Sequence, residues 1–225
     1  MTLDLRIDSY AWAGGRETVL RTGPAAGPVV IIAMPLFEEA NRLRAFAVSL
    51  LRSLAARGIA GALPDLPATG ESLLPTAAMT VSALHAGYAC AVEHCRQDGA
   101  SIAIGLRSGA LLDTAATVTA RWRLAPVDGA ALMREAMRTA VALADTDWLA
   151  VAGNVVRRTL LAELATLVAT DALPCRVVRL ASDPRPSERS IEAAPLWRRT
   201  EPDNDLALVE ALADDIAEWI RTCGG

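Results

Sequence analysis

The chain alternates between continuous apolar runs and amphipathic stretches. Residues 29–33 are Val-Val-Ile-Ile-Ala, a pattern typical of a strand that is buried on both faces of a parallel sheet. The amphipathic pattern that follows predicts a long helix to about residue 57, which Gly58 ends. Ahead of both, alternating apolar and charged residues predict edge strands within residues 2–22.

The same reasoning extends to the rest of the chain. It predicts further strands at 59–63, 101–104, 122–126, 148–152 and 176–181, and helices at 80–96, 108–118, 129–144, 155–169 and 206–220. The polar segment 184–195 is predicted to be irregular. Because strands alternate with helices, we expect an α/β fold with a doubly wound, mainly parallel sheet. We expect one domain over residues 1–225, with little or no cap between 127 and 173.

Composition narrows the classes of function. The 225 residues are 52% hydrophobic, enough for one large core. A net charge of −4 argues against nucleic acid as a partner, since phosphate binding needs a concentrated basic face. Lysine is absent from the chain, and its absence excludes Schiff-base chemistry.

Neither targeting nor metal motifs are evident. The first ten residues lack the apolar core of a signal peptide, and no apolar run is long enough to span a membrane, so we expect a cytoplasmic protein without membrane insertion. Cys90, Cys95, Cys175 and Cys223 have no C-x-x-C spacing, so we predict unused thiols rather than a zinc site or disulfides. We predict no metal and no cofactor.

The most informative stretch is 103–112, Ala-Ile-Gly-Leu-Arg-Ser-Gly-Ala-Leu-Leu. It resembles the nucleophile elbow of α/β hydrolases, in which G-x-S-x-G lifts a serine onto a strained turn at the carboxyl edge of the sheet. Gly105 and Gly109 keep that frame, but Arg107 occupies the nucleophile position and Ser108 follows one residue late. An arginine cannot attack a carbonyl, so the stretch indicates a fold more clearly than a reaction.

A serine hydrolase of this type also needs an acid and then a histidine, in that order after the nucleophile. Asp183 follows a predicted strand and is the candidate acid for Ser108, although it could equally cap the turn there. The only histidines, His85 and His94, precede the elbow, so no general base follows it. We interpret both as packed or surface helix residues.

Arg107 has two interpretations. At the mouth of a pocket, beside the N–H groups of Ser108 and of residues near Phe37, its guanidinium would suit an anionic ligand, with Glu38 also at that site. Alternatively, Arg107 forms an internal ion pair with Asp183, Asp65 or Glu38. For Asp65 itself, in a turn after a strand, we predict bonds from backbone N–H groups of its loop.

A narrower resemblance covers most of the chain from about residue 28 to 219. The segment 64–72, PDLPATGES, resembles the loop after the fourth strand of α/β hydrolases. The chain resembles the exosortase A system-associated hydrolase family, type 2, in the segments PLFEEANRLRAFAVSLLRSLAARG, PDLPATGES, GLRSGALL, APVDGAALMREAMR, VAGNVVRRTLLAEL and PLWRRTE. The APVDG segment departs from the family pattern and leaves the role of Asp128 open.

The resemblance implies an α/β-hydrolase fold in a bacterial protein linked to exosortase and exopolysaccharide systems. Two functions follow as hypotheses. The first is a non-catalytic homologue, a pseudoenzyme that binds a small anionic ligand or a partner protein through Arg107, Ser108, Phe37 and Glu38. The second is a weak hydrolase of ester, thioester or amide bonds that uses Ser108 and Asp183. The missing histidine favours the first.

Overall fold

The computed structural model of the protein describes residues 5–170, 172 and 174–223. Its strands are β1 (Arg6–Trp12), β2 (Gly15–Thr22), β3 (Val29–Ala33), β4 (Ala60–Pro64), β5 (Ser101–Leu106), β6 (Ala120–Leu124), β7 (Val141–Ala142), β8 (Trp148–Val151), β9 (Asn154–Arg157), β10 (Cys175–Leu180) and β11 (Arg189–Ile191). Its α-helices are α1 (Glu38–Ala56), α2 (Val81–Cys95), α3 (Gly129–Ala136), α4 (Arg158–Thr166) and α5 (Leu206–Cys223).

Within the described ranges, eight strands form the main sheet in the order β1-β2-β4-β3-β5-β6-β10-β11. The first three strands in this order pair antiparallel, and every later neighbour pairs parallel. Strands β3, β4, β5 and β6 are buried along their whole length, as expected for the centre of a sheet covered on both faces. The predicted doubly wound, mainly parallel α/β sheet is confirmed.

Two apolar layers cover the sheet. On one face, α1 and α5 pack over β3, β5 and β6, with Phe46 and Leu212 among the contacts. On the other face lie α2, α3 and α4, represented by Tyr88, Leu132 and Leu164. This division places the carboxyl ends of the parallel strands along one exposed edge, where the loops that follow β3, β5, β6 and β10 converge.

The predicted helix at 108–118 is wrong. The chain instead forms two short 3-10 segments, Arg107–Leu111 and Asp113–Ala115. The tighter i to i+3 bonding is visible where Leu112 N–H donates to Gly109 O at 3.0 Å. The threonines and valine that follow disfavour a helix because their β-branched side chains are restricted there.

The connection from β6 to β10 also differs from prediction. Helix α3 ends at Ala136 rather than near 144, and α4 begins at Arg158 rather than 155. Between them, β7, β8 and β9 form a small antiparallel sheet, because Val141, Val155 and their neighbours favour extended backbone. Likewise, the segment expected to be irregular contains β11. The connection stays small, in agreement with the predicted minimal cap.

Two details of the helices bear on earlier expectations. Gly58 adopts φ +77° directly after α1, so this helix ends as the sequence predicts. None of the helices in the described ranges combines the length and apolar character that a bilayer span requires.

Candidate functional site

The turn after β5 is strained and crowded. Arg107 adopts φ +54°, a left-handed conformation that is costly for a side chain larger than glycine. Gly109 has no room for a larger residue, since a Cβ there would overlap the carbonyl oxygen of Ala33. A Cβ on Gly105 would lie 2.8 Å from the Cα of Ala110. The geometry of an elbow is therefore present, with arginine at its apex.

The Arg107 side chain points into the protein, where it hydrogen-bonds to three residues and stacks on a fourth. Its Nε donates to both carboxylate oxygens of Glu39 at 3.2 and 3.3 Å. Its Nη2 donates to Glu39 Oε1 at 3.0 Å and to Glu135 Oε2 at 3.2 Å, and Nη1 donates to Ala125 O at 3.1 Å. The guanidinium also stacks on Trp197, 4.7 Å from the ring centroid. Only 4% of Arg107 is exposed.

The two carboxylates come from helices on opposite sides of the turn. Glu39 lies in the first turn of α1, where the helix dipole favours an acidic residue, and Glu135 lies near the end of α3. Burial raises the pKa of Glu39, and the nearby Arg107 opposes that rise. Side-chain exposure increases from 5% at Arg107 to 16% at Glu39 and 38% at Glu135. The cluster thus runs from the core to the solvent.

The ion-pair interpretation of Arg107 is confirmed, but its predicted partners were wrong. Glu38 pairs instead with Arg42, one helical turn later, with 3.7 Å between Glu38 Oε1 and Arg42 Nε. The helical phase of α1 directs the next residue, Glu39, towards Arg107. The two aspartates proposed as alternatives are bound by other arginines, as described below. Glu135 is distant in sequence from Arg107, and no local pattern announces their contact.

Asp183 lies just past β10, where an acid of a hydrolase triad would be expected. Arg185 holds its carboxylate with two hydrogen bonds of 2.9 and 2.7 Å, and Arg179 adds one of 3.0 Å. These hydrogen bonds, the Arg185 side chain first, hold the pKa of Asp183 well below its usual range although partial burial opposes them. The carboxylate is therefore committed to arginines and makes no hydrogen bond to Ser108.

Ser108 is fully buried beneath the turn. Its Oγ accepts a hydrogen bond of 3.0 Å from the backbone N–H of Leu36, in the loop between β3 and α1. In a hydrolase elbow an N–H from that loop, together with the N–H of the residue after the nucleophile, stabilises the oxyanion. The Ser108 hydroxyl occupies one of these two donors.

The loop after the last strand is where the chain order of a triad calls for a histidine. The residue that this loop brings onto the elbow side chain is Trp197, whose indole has no basic nitrogen. The histidines lie elsewhere: His85 Nε2 is 3.0 Å from Leu111 O, and His94 Nε2 is 2.8 Å from Asp8 Oδ2.

Two further aspartates have structural roles. The Asp65 carboxylate accepts a hydrogen bond of 2.8 Å from Arg44 Nη1. The predicted bonds from its own loop to this carboxylate were wrong, because the N–H of Leu66 donates to Thr69 Oγ1 instead. Asp128, whose role the sequence left open, caps α3 by accepting from the N–H of Ala131 at 2.6 Å.

A cavity of about 500 Å³ opens beside the elbow. Its size falls within the range of small-molecule sites. Phe37 and Glu38, both predicted ligand-binding residues, line it. The remaining lining residues are Leu36, Glu39, Arg42, Leu132, Glu135, Ala136, Arg138, Thr139, Val151, Ala152, Trp197 and Arg198. The carboxylates that hold Arg107 thus form part of the cavity wall.

Comparison with solved structures covers nearly the whole chain. Est1E from Butyrivibrio proteoclasticus, solved with bound ferulic acid, matches with a TM-score of 0.66 at 16% identity, over 96% of this chain and 98% of that one. An α/β serine hydrolase without a lid from Xanthomonas campestris matches with a TM-score of 0.59 at 12% identity, over 96% and 95%. The chain has the α/β-hydrolase fold.

An esterase domain from a Rhodothermus marinus protein is similar in the same way, with a TM-score of 0.56 at 13% identity over 99% of this chain and all of that one. At these identities the likeness concerns the fold alone. The sequence matches no protein-family model and no curated protein.

Sequence reasoning missed three residues of the site, namely Glu39, Glu135 and Trp197. A signal existed for two of them. Glu39 is one of two acidic residues at a predicted helix start, and Trp197 lies in the PLWRRTE segment beyond the last strand. Glu135 lies on the polar face of a predicted helix, where exposure to solvent is expected. Its contact with Arg107 becomes visible only in the packing of α3 near the elbow.

Proposed function

We propose that this protein is a non-catalytic binding protein built on an α/β-hydrolase fold. One observation carries the proposal: the nucleophile position holds a buried arginine that two carboxylates and a tryptophan fix in place. A guanidinium stays protonated under all ordinary conditions and has no lone pair to attack an acyl carbon. The elbow therefore serves as a structural support for the wall of the neighbouring cavity.

The surroundings support the same proposal. Ser108 has no general base among its hydrogen-bond partners, and its Oγ accepts a hydrogen bond from the backbone N–H of Leu36. Without a base, a serine hydroxyl remains a weak nucleophile. Asp183 is held by arginines and orients no imidazole. The hydrolytic alternative would need Ser108 to leave its buried position and recruit a base from outside the elbow.

The ligand site that we propose is the cavity beside the elbow. Phe37 and Glu38 border it directly, whereas Arg107 and Ser108 act from behind the wall by holding Glu39 and Leu36. From the sequence resemblance alone, we further infer a role in an exosortase or exopolysaccharide system, in which the protein binds a small molecule or a partner without transforming it.

Labelling with a fluorophosphonate probe tests the non-catalytic proposal. The probe reacts with a serine whose Oγ is activated, forming an Oγ–P bond while fluoride leaves. We expect no labelled Ser108 by mass spectrometry, and no hydrolysis of p-nitrophenyl acetate above that of a Ser108→Ala variant. A competent serine esterase labelled in the same experiment is the control. Labelling at Ser108 that denaturation abolishes would overturn the proposal.

A further inference from the structure

The cavity beside the elbow contains two kinds of arginine. Arg42 and Arg107 are engaged, the first with the backbone of Trp197 and the second with its carboxylates. Arg138 and Arg198 also line or border the cavity, but their side chains are exposed and make no hydrogen bond or ion pair with any residue the structure describes. Two guanidinium groups at this cavity are therefore available to a ligand.

The balance of charge around the cavity points the same way. Its wall carries three carboxylates, from Glu38, Glu39 and Glu135, and the guanidinium groups of three arginines. Arg107, directly behind the wall, adds a fourth guanidinium, so the site as a whole has one excess positive charge. The carboxylates are the charges already paired, to Arg42 and Arg107. The unpaired charges are both positive.

Apart from Thr139, the rest of the wall is apolar. Leu36, Leu132, Ala136 and Val151 present hydrocarbon surface to the cavity. Such a surface favours the burial of a small apolar group. In addition, the Nε of Arg42 is buried without a hydrogen-bond partner among the described residues, which leaves one more donor unsatisfied in a side chain of this wall.

We propose that the cavity binds an organic anion, a carboxylate or phosphate carried on a short apolar body. Arg138 and Arg198 hold the anionic group, since a guanidinium matches either group with two parallel hydrogen bonds. The apolar body lies against Leu132 and Val151. This inference rests on the proposed function and names its class of ligand. It moves the anion contact from Arg107, which Glu39, Glu135 and Ala125 hold, to the two free arginines.

Calorimetric titration with four probes tests the class of ligand. Hexanoate and hexyl phosphate carry both features, 1-hexanol lacks the charge, and acetate lacks the apolar body. We expect at least one of the first two to bind about tenfold or more tightly than 1-hexanol and acetate, a difference of about 1.4 kcal/mol. The tighter of the two identifies the anionic group. Equal binding of 1-hexanol overturns the anion, and equal binding of acetate overturns the apolar body.

Variants locate the contact. Arg138→Gln combined with Arg198→Gln should weaken binding of the tighter probe about tenfold or more, because each loses a charge-assisted hydrogen bond. Arg134→Gln is the matched control, since Arg134 is exposed on α3, four residues before Arg138, and does not line the cavity. We expect it to bind like the native protein. Unchanged binding by the double variant, or equal loss in Arg134→Gln, overturns the proposed contact.

The outcomes separate this inference from the proposal on which it rests. No binding of either anionic probe, with Ser108 still unlabelled by fluorophosphonate, overturns the ligand class and leaves the non-catalytic proposal standing. Labelled Ser108 with intact, arginine-dependent binding of an anionic probe overturns the non-catalytic proposal and leaves the anion site. The side chains of Arg138 and Arg198 are exposed and make no hydrogen bond or ion pair with the residues that the structure describes. The double variant should therefore fold normally, and a melting curve checks this.

Discussion

Two of the arginine–carboxylate clusters in the described part of the chain have opposite compositions. At the elbow, one guanidinium from Arg107 binds two carboxylates beside a cavity. In the core, the single carboxylate of Asp113 binds the guanidinium groups of Arg121 and Arg123, which point to the same face of β6 because they are two residues apart. Asp113 is completely buried, and no residue of its cluster lines the cavity beside the elbow.

The two clusters differ in what surrounds them: one lies wholly within the core, and the other lies beside the candidate site. The Asp113 cluster fastens a 3-10 segment to β6, and Arg121 also donates to the carbonyl oxygens of Asp113 and Ala116. Every part of it is buried. The elbow cluster instead reaches solvent through Glu135, so its charges adjoin a space that a ligand could occupy. Pairing alone does not distinguish the two, whereas the adjoining cavity does.

The largest effect should come from the core cluster. Asp113→Ala leaves two buried guanidinium groups without their carboxylate, and we expect a loss of about 4 kcal/mol in the free energy of unfolding. In a protein of this size this corresponds to a melting temperature lower by roughly 8–16 °C. Chemical denaturation measures the loss. The control, Asp214→Ala, removes an exposed partner of Arg57 and should cost less than about 1 kcal/mol.

Equal, small losses in Asp113→Ala and Asp214→Ala would remove the distinction between a core cluster and a surface pair.

The elbow cluster should be the weaker of the two. Arg107→Met keeps an unbranched apolar chain but leaves Glu39 and Glu135 unpaired, and we expect a loss of about 3 kcal/mol. The loss is smaller than in the core because water already reaches Glu135. Adding Glu39→Gln to Arg107→Met should recover part of it, because one unpaired buried charge is removed. Denaturation curves of the three proteins check this.

A double variant less stable than Arg107→Met alone would mean that Glu39 is stabilised by contacts other than Arg107.

The dependence of stability on pH sharpens the comparison further. Burial raises the pKa of Glu39 in the folded state, so the folded protein holds this proton more tightly than the unfolded chain. The associated stability is full below the ordinary value of 4.5 and is lost as pH rises through the folded pKa. Glu39→Gln cannot titrate. The unfolding free energy of the native protein minus that of the variant should therefore fall as pH rises above 4.5.

A difference that stays flat, or rises, over this range would contradict a raised pKa at Glu39.

The smallest expected effect is on catalytic activity when a serine is placed at residue 107. Arg107→Ser restores a serine to the nucleophile position, yet Trp197 still stands where the base would be needed, and no histidine follows the elbow. We expect no labelling by fluorophosphonate above the Ser108→Ala background. Because loss of Arg107 destabilises the protein, the assay should be run at low temperature, and circular dichroism should be used to show that the variant is folded. Labelling of residue 107 in this variant would show that a hidden base survives at the elbow.

Much of the fold follows from periodicity. The all-apolar run at 29–33 and the elbow frame predict a central parallel sheet, because such patterns require burial on both faces. Where the prediction failed, local propensity competed with tertiary packing. The small residues after Gly109 suggested a helix, but Asp113 is drawn to β6 by its two arginines, and the chain tightens into 3-10 turns instead.

The site was predicted less well, for a different physical reason. The sequence identifies Arg107 as the anomaly because a motif defines its position. Its partners are set by helical phase and by the approach of a distant helix, and neither is encoded near residue 107. A shift of one residue along α1 separates the predicted Glu38 from the observed Glu39. Choosing between them needs the orientation of α1 on the sheet.

The elbow glycines have one more consequence. The carbonyl of Ala33 leaves no space for a side chain at residue 109, whatever residue stands at 107. A saturation screen of this turn would score Gly109 as intolerant whether or not the protein turns over a substrate. Intolerance to substitution at an elbow therefore measures the crowding of the backbone. A sequence search based on the two elbow glycines therefore identifies proteins that share the backbone geometry of the turn. The residue at the nucleophile position is what indicates the chemistry.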